Sequence, residues 1–340
     1  MPAYSIEGIS VSFGERPGEP PALSDVSFQV GAGELVVILG RTGAGKTTLL
    51  RVLAGLQKPR AGRILEAAAP TPVDISAQPP YRRDMAMVFQ NFSLYPRMRV
   101  RENLSFPLRA KALGLPAAEI EARVAQAAGM LGLADKLERS PSQLSGGELQ
   151  RVAIGRALVR KPKLFLLDEP LASLDAKLRE HMVLEIHRLQ RSLGCGMIYV
   201  THDHLEAMSL ADRILVLDKG RVLQAAPPEE IYRHPANGRV ARMLGRPAIN
   251  LLTSEEAGAM GLPLAGKRQV GIRPESWRVT ADPAGPATAA VVEHLGPRLA
   301  MVLELQGMIL RVTAAPTLRV KAGDRFRLAV DPGDLLYLDK

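Results

Sequence analysis

The sequence predicts an α/β domain built on a parallel sheet, followed by a small all-β barrel. Three observations carry this. Short continuous apolar runs recur through the first two-thirds of the chain, separated by helical periodicities. A glycine-rich stretch, GRTGAGKTT (40–48), stands between one such run and a helical pattern. After about residue 235 the texture changes to short alternating segments punctuated by Pro and Gly.

In chain order the apolar runs are LVVIL (35–39), MAMVF (85–89), LFLL (164–167), MIYV (197–200) and ILVL (214–217). Runs of this kind are strands buried on both faces, the mark of a parallel sheet covered by helices. Leu49, Val52, Leu53 and Leu56 follow i, i+3, i+4, i+7 spacing and predict a helix directly after the glycine-rich stretch. Ile120, Val124 and Leu131 predict another, with Pro116 suited to its first turn. The stretch EAAAPTP (66–72) reads as a loop. Domain boundaries follow: residues 1–235 form the α/β domain and 236–340 the β-domain. Within the latter, LAMVLEL and MILRVT flank Gln306-Gly307 and read as a hairpin, although that turn pair is not a strong one. RFRLAV (325–330) places Phe326, Leu328 and Val330 on one face, ahead of the turn signal DPG.

Composition bounds the function classes. At 340 residues, with 46% hydrophobic and 23% charged residues, the chain is an ordinary globular protein with room for two domains. One cysteine, Cys195, excludes an internal disulfide framework and reads as a structural thiol in a reducing compartment. No apolar run approaches the ~20 residues that span a bilayer, and MPAYSIEGIS lacks the features of a signal peptide. A cytoplasmic protein is expected, with any membrane role supplied by a partner. The net charge of +9 permits nucleic acid or an anionic membrane face as partner. The basic residues are scattered, however, without a Lys/Arg block or a base-stacking aromatic series, so a solvated basic surface is expected instead.

Gly40 to Thr47 fits G-x-x-x-x-G-K-[ST] in the context that pattern requires, strand before and helix after. Gly40, Arg41, Thr42, Gly43, Ala44 and Gly45 form a loop whose N–H groups can turn inward on an anion. The following helix adds its positive end. Lys46 can reach β- and γ-phosphates, the Thr47 hydroxyl can ligate Mg²⁺, and Thr48 is expected to bind ATP beside it. A second constellation, LFLLDEP (164–170), is a buried strand ending in two carboxylates. Asp168 suits the Mg²⁺ shell through water, and Glu169 suits the orientation or deprotonation of a water attacking the γ-phosphate. Read alone, the same pair could simply cap the next turn.

GRTGAGKTT, VFQ ending at Gln90, LSGGE (144–148), LFLLDEP, SLD (173–175) and THD (201–203), in that order, resemble the ATP-binding cassette ATPases. The resemblance covers roughly residues 4–235 and implies an ABC nucleotide-binding domain of the P-loop NTPase class. It implies that Phe13 stacks on adenine, that Gln90 touches Mg²⁺ and the attacking water, and that His202 contacts the γ-phosphate. Ser145, Gly146, Gly147 and Glu148 would meet the ATP held by a second subunit, and Asp175 would lie at the contact between the two. ATP and Mg²⁺ are the expected cofactors, and a second ATPase subunit, identical or different, the first expected partner.

LGRPAINLL (244–252) and VGIRPESW (270–277) look like the OB-type regulatory β-domain of maltose- and glycerol-phosphate-type carbohydrate importers. The segment MVFQNFSLYPRMRVRENLSFPLR (87–109) is similar to the importer segment on which a permease docks, with Arg97 where the family commonly has histidine. The resemblance therefore implies an importer ATPase for a carbohydrate or polyol. It would sit peripherally on the cytoplasmic side of the inner membrane, beside two permease subunits and, through them, an extracytoplasmic substrate-binding protein. Polyamine, iron and sulfate importers carry related β-domains and stay open. A nucleic-acid-associated cassette ATPase is the alternative from another class, but the docking segment and β-domain argue against a nucleic-acid partner.

The chain departs from the family at Glu148, where Gln is usual. Ser145-x-x-Glu148 is itself a capping box, in which Glu and Gln serve equally. Alternatively, a carboxylate ~8 Å from the partner's triphosphate costs on the order of 2 kcal/mol at an effective dielectric near 20. The favourable helix-end interaction of roughly 0.3–1 kcal/mol offsets only part of that.

Overall fold

The computed structural model describes residues 2–14, 20–67, 70–110, 113–264 and 266–339. Ala68 and Ala69, inside the loop expected at 66–72, lie outside the described residues. The chain divides into two compact units, Met1–Pro228 and Glu229–Lys340.

The first unit contains strands β1 (Pro2–Val11), β2 (Leu23–Gly31), β3 (Leu35–Leu39), β4 (Ala61–Glu66), β5 (Val73–Asp74) and β6 (Met85–Val88). It continues with β7 (Leu164–Asp168), β8 (Gly196–Thr201), β9 (Arg213–Asp218) and β10 (Arg221–Ala226). Its helices are α1 (Lys46–Leu53), α2 (Val100–Ser105), α3 (Ala117–Met130), α4 (Gly146–Leu158), α5 (Ala176–Leu193) and α6 (His204–Leu210). A six-stranded sheet runs in the order β10-β9-β3-β8-β7-β6. The five apolar runs are its five parallel strands, and β10 joins antiparallel at one edge. β3, β7 and β8 are buried along their whole length, as a sheet covered on both faces demands.

A second, antiparallel sheet, β2-β1-β4-β5, closes the core over Leu49, Leu50, Val52 and Leu53 of α1. The alternation that would reveal β1 and β2 is interrupted. Register shifts fall between Ile6 and Ile9 and between Ile9 and Val11, and Gly8 and Asp25 both have positive φ. The buried positions on β1 therefore fall at 4, 6, 9 and 11 instead of every second residue.

α1 stops before Leu56. Gly55 turns left-handed at φ 76°, and the Leu56 and Gly55 N–H groups donate back to Arg51 O (2.8 Å) and Val52 O (3.1 Å). This Schellman stop leaves Leu56 51% exposed, so the last member of the sequence periodicity lies outside the helix. Buried Arg83 then holds this end of α1, donating to Val52 O (2.6 Å), Leu53 O (2.8 Å), Ser76 O (2.6 Å) and Gln78 O (2.8 Å). A cation on the last carbonyls suits the negative end of the helix. Pro116 stands at the N-cap of α3, one place before the first turn.

In the second unit, α7 (Pro228–Arg233) and α8 (Gly238–Met243) precede β11 (Asn250–Thr253), helix α9 (Ser254–Ala259), β12 (Gln269–Ile272) and β13 (Trp277–Ala281). β14 (Ala287–His294), β15 (Leu299–Leu305), β16 (Met308–Ala314), β17 (Arg325–Val330) and β18 (Leu336–Leu338) complete it. Two antiparallel sheets, β11-β12-β18 and β13-β17-β14-β15-β16, enclose Trp277, Met301, Leu303, Leu310, Val312 and Phe326. β15 and β16 form the expected hairpin, with Gln306 and Gly307 both at positive φ as a tight primed turn requires. Arg273 explains why the unit begins near residue 229. It donates to Tyr232 O (2.8 Å) and Leu244 O (2.7 Å) and stacks 3.8 Å over the Tyr232 ring. Among the described residues no helix is long and apolar enough to cross a membrane.

Candidate functional site

Strand order assembles the site. β8 lies between β3 and β7, and the register sets Leu39 beside Thr201 and Asp168 beside Val200. The three segments leaving these strands therefore emerge side by side. They carry Gly40–Thr47, Asp168–Glu169 and His202 respectively.

The first segment is a glycine-rich turn closed by Lys46. Gly43 and Gly45 have φ 81° and 103°, a region that favours glycine. A Cβ on Gly40 would stand 2.5 Å from Leu217 O, so that glycine is required by packing. Arg41, Thr42 and Gly43 are exposed at the crest, whereas Ala44 is buried at its base. α1 starts at Gly45 without a side-chain cap and without an acidic residue in its first turn. Its N–H groups and positive end are thus left for an anion.

Lys46 is only 5% exposed, and its Nζ donates to Gly40 O (2.9 Å) and Arg41 O (3.1 Å). The same Nζ lies 3.1 Å from Glu169 Oε1, while His202 Nδ1 lies 2.9 Å from Glu169 Oε2. Glu169 is 16% exposed and its backbone stands at φ 43°, held by its N–H bond to Val200 O at 3.0 Å. A non-glycine residue in that region is strained, and such strain gathers where geometry is functional. Thr47 Oγ donates to Asp168 Oδ1 at 3.0 Å. Burial pushes the Asp168 carboxyl above its ordinary range, and the Thr47 hydroxyl pulls it back.

The side chains of Lys46, Thr47, Asp168, Glu169 and His202 are thus brought together, and Lys46 ties them to the carbonyls of Gly40 and Arg41. Among the described residues no hydrogen bond or ion pair joins Phe13, Gln90, Ser145–Glu148 or Asp175 to that group. Phe13 is 68% exposed just past β1, and Gln90 is exposed just past β6. Asp175 caps α5, its side chain accepting from Leu178 N at 2.9 Å. Ser145 and Glu148 form the expected capping box at the start of α4. Glu148 Oε2 accepts from Ser145 N (2.7 Å), and Ser145 Oγ accepts from Glu148 N (3.4 Å). That backbone bond, chiefly, holds the Glu148 carboxyl below its ordinary range, and Lys136 Nζ lies 3.8 Å away. Gly147 packs so closely on α5 that a Cβ there would stand 2.8 Å from Leu178 Cδ1.

Two structural clamps were not read from the sequence. Buried Asn103 accepts from Tyr95 N (2.9 Å) and donates to Tyr95 O (3.1 Å) and Met98 O (2.9 Å). Arg156 of α4 donates to Ser93 O (2.5 Å) and stacks 5.3 Å from the Tyr95 ring. Together they fix the segment that follows Gln90. An asparagine inside ENLSF, where an apolar residue would be usual, was the one available signal. Beside this segment lies a groove of about 380 Å³ lined by Leu56, Tyr81, Met87, Phe89, Phe106 and Ala153, among others.

Thr47 and Asp168 present hard oxygen donors of the kind Mg²⁺ takes. Among the described residues no cluster of three or more His, Cys, Asp or Glu could hold a metal unaided. A Mg²⁺ that arrives with phosphates needs only one or two protein oxygens, so the residues fit it.

Residues 23–172 match the family described as ABC transporter, and residues 270–338 match the TOBE domain. The chain is similar to the sn-glycerol-3-phosphate import ATP-binding protein UgpC 1 of Rhizobium johnstonii, at 42% identity over 97% of this chain and 92% of that protein. Similarity to the protein of the same import name from Paracoccus denitrificans is 45% identity over 92% of each chain. Among the solved structures the chain resembles are two at 30% identity. One is cbiO1 of Clostridium perfringens, part of the ABC transporter complex cbiONQ, with TM-score 0.60 over 68% of this chain and 90% of that one. The other is the ATP-binding cassette MJ0796, a dimeric post-hydrolysis state bound to ADP and Pi, with TM-score 0.57 over 66% of this chain and 98% of that one.

Proposed function

Because the chain belongs to the ABC transporter family of ATPases, we propose that it is the ATP-hydrolysing subunit of an importer for a polyol or carbohydrate, glycerol 3-phosphate foremost. The observation that carries the hydrolytic reading is the connected group Lys46–Glu169–His202 beside Thr47–Asp168. The substrate class rests on the import names of relatives that are 42% and 45% identical.

ATP phosphates settle into the Gly40–Thr47 turn, where the N–H groups and Lys46 receive them. Thr47, Gln90 and, through water, Asp168 are the residues that would hold Mg²⁺, whose charge would neutralise that of the phosphates. Lys46 exchanges the Glu169 carboxylate for phosphate oxygens. Glu169 is thereby released to orient a water and accept its proton, with His202 holding the carboxylate in place. The groove beside Tyr95 and Phe106 is the seat for the permease, at the cytoplasmic face of the membrane. An extracytoplasmic substrate-binding protein acts through that permease.

The resemblance to the family implies that Ser145, Gly146 and Gly147 serve the ATP of a second cassette, and none of the three is hydrogen-bonded to the chain's own phosphate turn among the described residues. The isolated chain is therefore expected to be mostly monomeric and slow. Addition of permease and of binding protein loaded with glycerol 3-phosphate should accelerate its ATP turnover. Full activity in a dilute sample shown to be monomeric would sink this reading. Stimulation by a sulfate- or polyamine-loaded binding protein instead would reassign the substrate.

Glu148 offers a smaller test. Its capping bond to Ser145 N is one a glutamine oxygen reproduces, so Glu148→Gln changes charge more than structure. ATP-driven dimerisation of this variant should need up to about fivefold less nucleotide, equivalent to ~1 kcal/mol of relieved repulsion. Dimerisation titrated by light scattering measures it. An unchanged midpoint would leave the carboxylate as a cap alone, and a loss of dimerisation would mean the negative charge is itself needed.

A further inference from the structure

Arg179 lies one turn into α5, after the capping residue Asp175. Its guanidinium joins two segments that the sequence keeps apart. Nη2 donates to Leu174 O at 2.9 Å, on the segment leading to Asp175. On its other side, Nη1 lies 3.8 Å from Asp203 Oδ2 and Nε lies 3.8 Å from Glu206 Oε1.

Glu206 is buried, and its Oε2 accepts from both Tyr199 Oη (2.8 Å) and Thr201 Oγ (2.7 Å). Thr201 Oγ in turn accepts from Asp203 N at 2.9 Å. Thr201 and Asp203 are the two neighbours of His202, whose Nδ1 meets Glu169. A continuous path of polar contacts thus runs from Leu174 through Arg179 and Glu206 to both sides of His202. Burying a carboxylate beneath a helix is costly unless its charge and hydrogen bonds are answered, and an apolar residue would pack there more simply. Departures of this kind from the simplest core concentrate at functional sites. The Arg179 contacts to the two carboxylates are longer than hydrogen bonds, so a small shift of Leu174 and Asp175 can tighten or open them.

We propose that Arg179 is a positioning residue through which a second cassette, pressing on the Leu174–Asp175 segment, sets His202 against Glu169. Dimer engagement and hydrolytic competence are then linked inside each subunit, and not only by the shared nucleotide. The inference rests on the cassette-dimer reading given under the proposed function.

The test uses the full chain assembled with its permease, with ATP affinity measured on the chain alone. Arg179→Met keeps the stem and removes the fork. Glu206→Gln keeps acceptors for Tyr199 and Thr201 and removes the charge. Each is expected to leave ATP affinity nearly unchanged and to lower turnover at saturating ATP by about tenfold. Glu206→Gln should also leave the melting temperature nearly unchanged, whereas Arg179→Met, which leaves the buried Glu206 carboxylate unanswered, should lower it. Because both cut one path, the double variant should be no slower than the worse single one. Arg179→Lys should recover only part of the loss, since an ammonium cannot span three acceptors as the planar fork does. Turnover of Arg179→Met within twofold of the unmutated assembly would overturn the proposal. So would multiplying losses in the double variant, a loss matched by weaker ATP binding, or a loss in Glu206→Gln matched by a lower melting temperature. An unmutated assembly that hydrolyses no ATP would strike the function reading itself, a result separable from all of these.

Discussion

Glu169→Gln is expected to abolish most ATP turnover, by roughly 10²–10⁴-fold, while nucleotide binding survives. The side chain is nearly isosteric, and its amide can still meet His202 Nδ1 and accept from Lys46, so the site keeps its shape. What it cannot do is take a proton from water. Binding should even tighten. In the ligand-free arrangement Lys46 Nζ is 3.1 Å from the Glu169 carboxylate, a contact that competes with any phosphate for the same ammonium. Removing the carboxylate's charge removes that competition. The ATP-bound variant should therefore persist as a dimer, visible by light scattering, with turnover near the limit of detection. Near-normal hydrolysis would show that another group activates the water and that the strained backbone at Glu169 serves something else.

The parallel sheet was legible because its strands are buried on both faces, and five uninterrupted apolar runs admit no other simple reading. The antiparallel sheet gave a weaker signal, because its strands mix apolar and polar residues. β1 loses its alternation at Gly8, whereas β2, past its own irregularity at Asp25, keeps a period of two over Val26, Phe28 and Val30, and that much was legible. Leu56 shows the opposite error: the helical period continued on paper past Gly55, where the backbone had already turned left-handed.

The site divides along the same line. Lys46, Thr47, Asp168 and Glu169 were readable because phosphate and water chemistry demand those groups beside a strand end and a helix start. That Lys46 and Glu169 touch in the absence of nucleotide follows only from the order β3-β8-β7, which no local pattern encodes. Arg83 and Arg156 are invisible for a related reason. Each works by reaching backbone carbonyls far along the chain, at Val52, Leu53 and Ser93, and a carbonyl leaves no mark in a sequence. Arg179 is hidden differently, since its distant partners are the carboxylates of Asp203 and Glu206, which only the fold brings near. Charged residues that end up holding loops look, in one dimension, like ordinary surface.

Lys46→Ala should fail at an earlier step than Glu169→Gln, losing nucleotide affinity itself. Charge-assisted hydrogen bonds contribute about 1.5–3 kcal/mol each, and two to phosphate oxygens correspond to roughly 10²-fold or more in affinity. Two further losses point the same way. Without Nζ the carbonyls of Gly40 and Arg41 lose the donor that draws the turn together, so its N–H groups are less well arranged for an anion. Glu169, mostly buried and deprived of its cation, would then face incoming phosphates as an uncompensated like charge. The fold should survive, because the apolar face of α1 and the Arg83 clamp at its far end do not depend on the lysine. Titration with a fluorescent nucleotide, beside a melting curve, separates the two effects. A dissociation constant within about threefold of the unmutated chain would mean that the phosphates do not lie against Lys46. The contrast with Glu169→Gln would then collapse, since that contrast requires one side chain to be spent on binding and the other on chemistry.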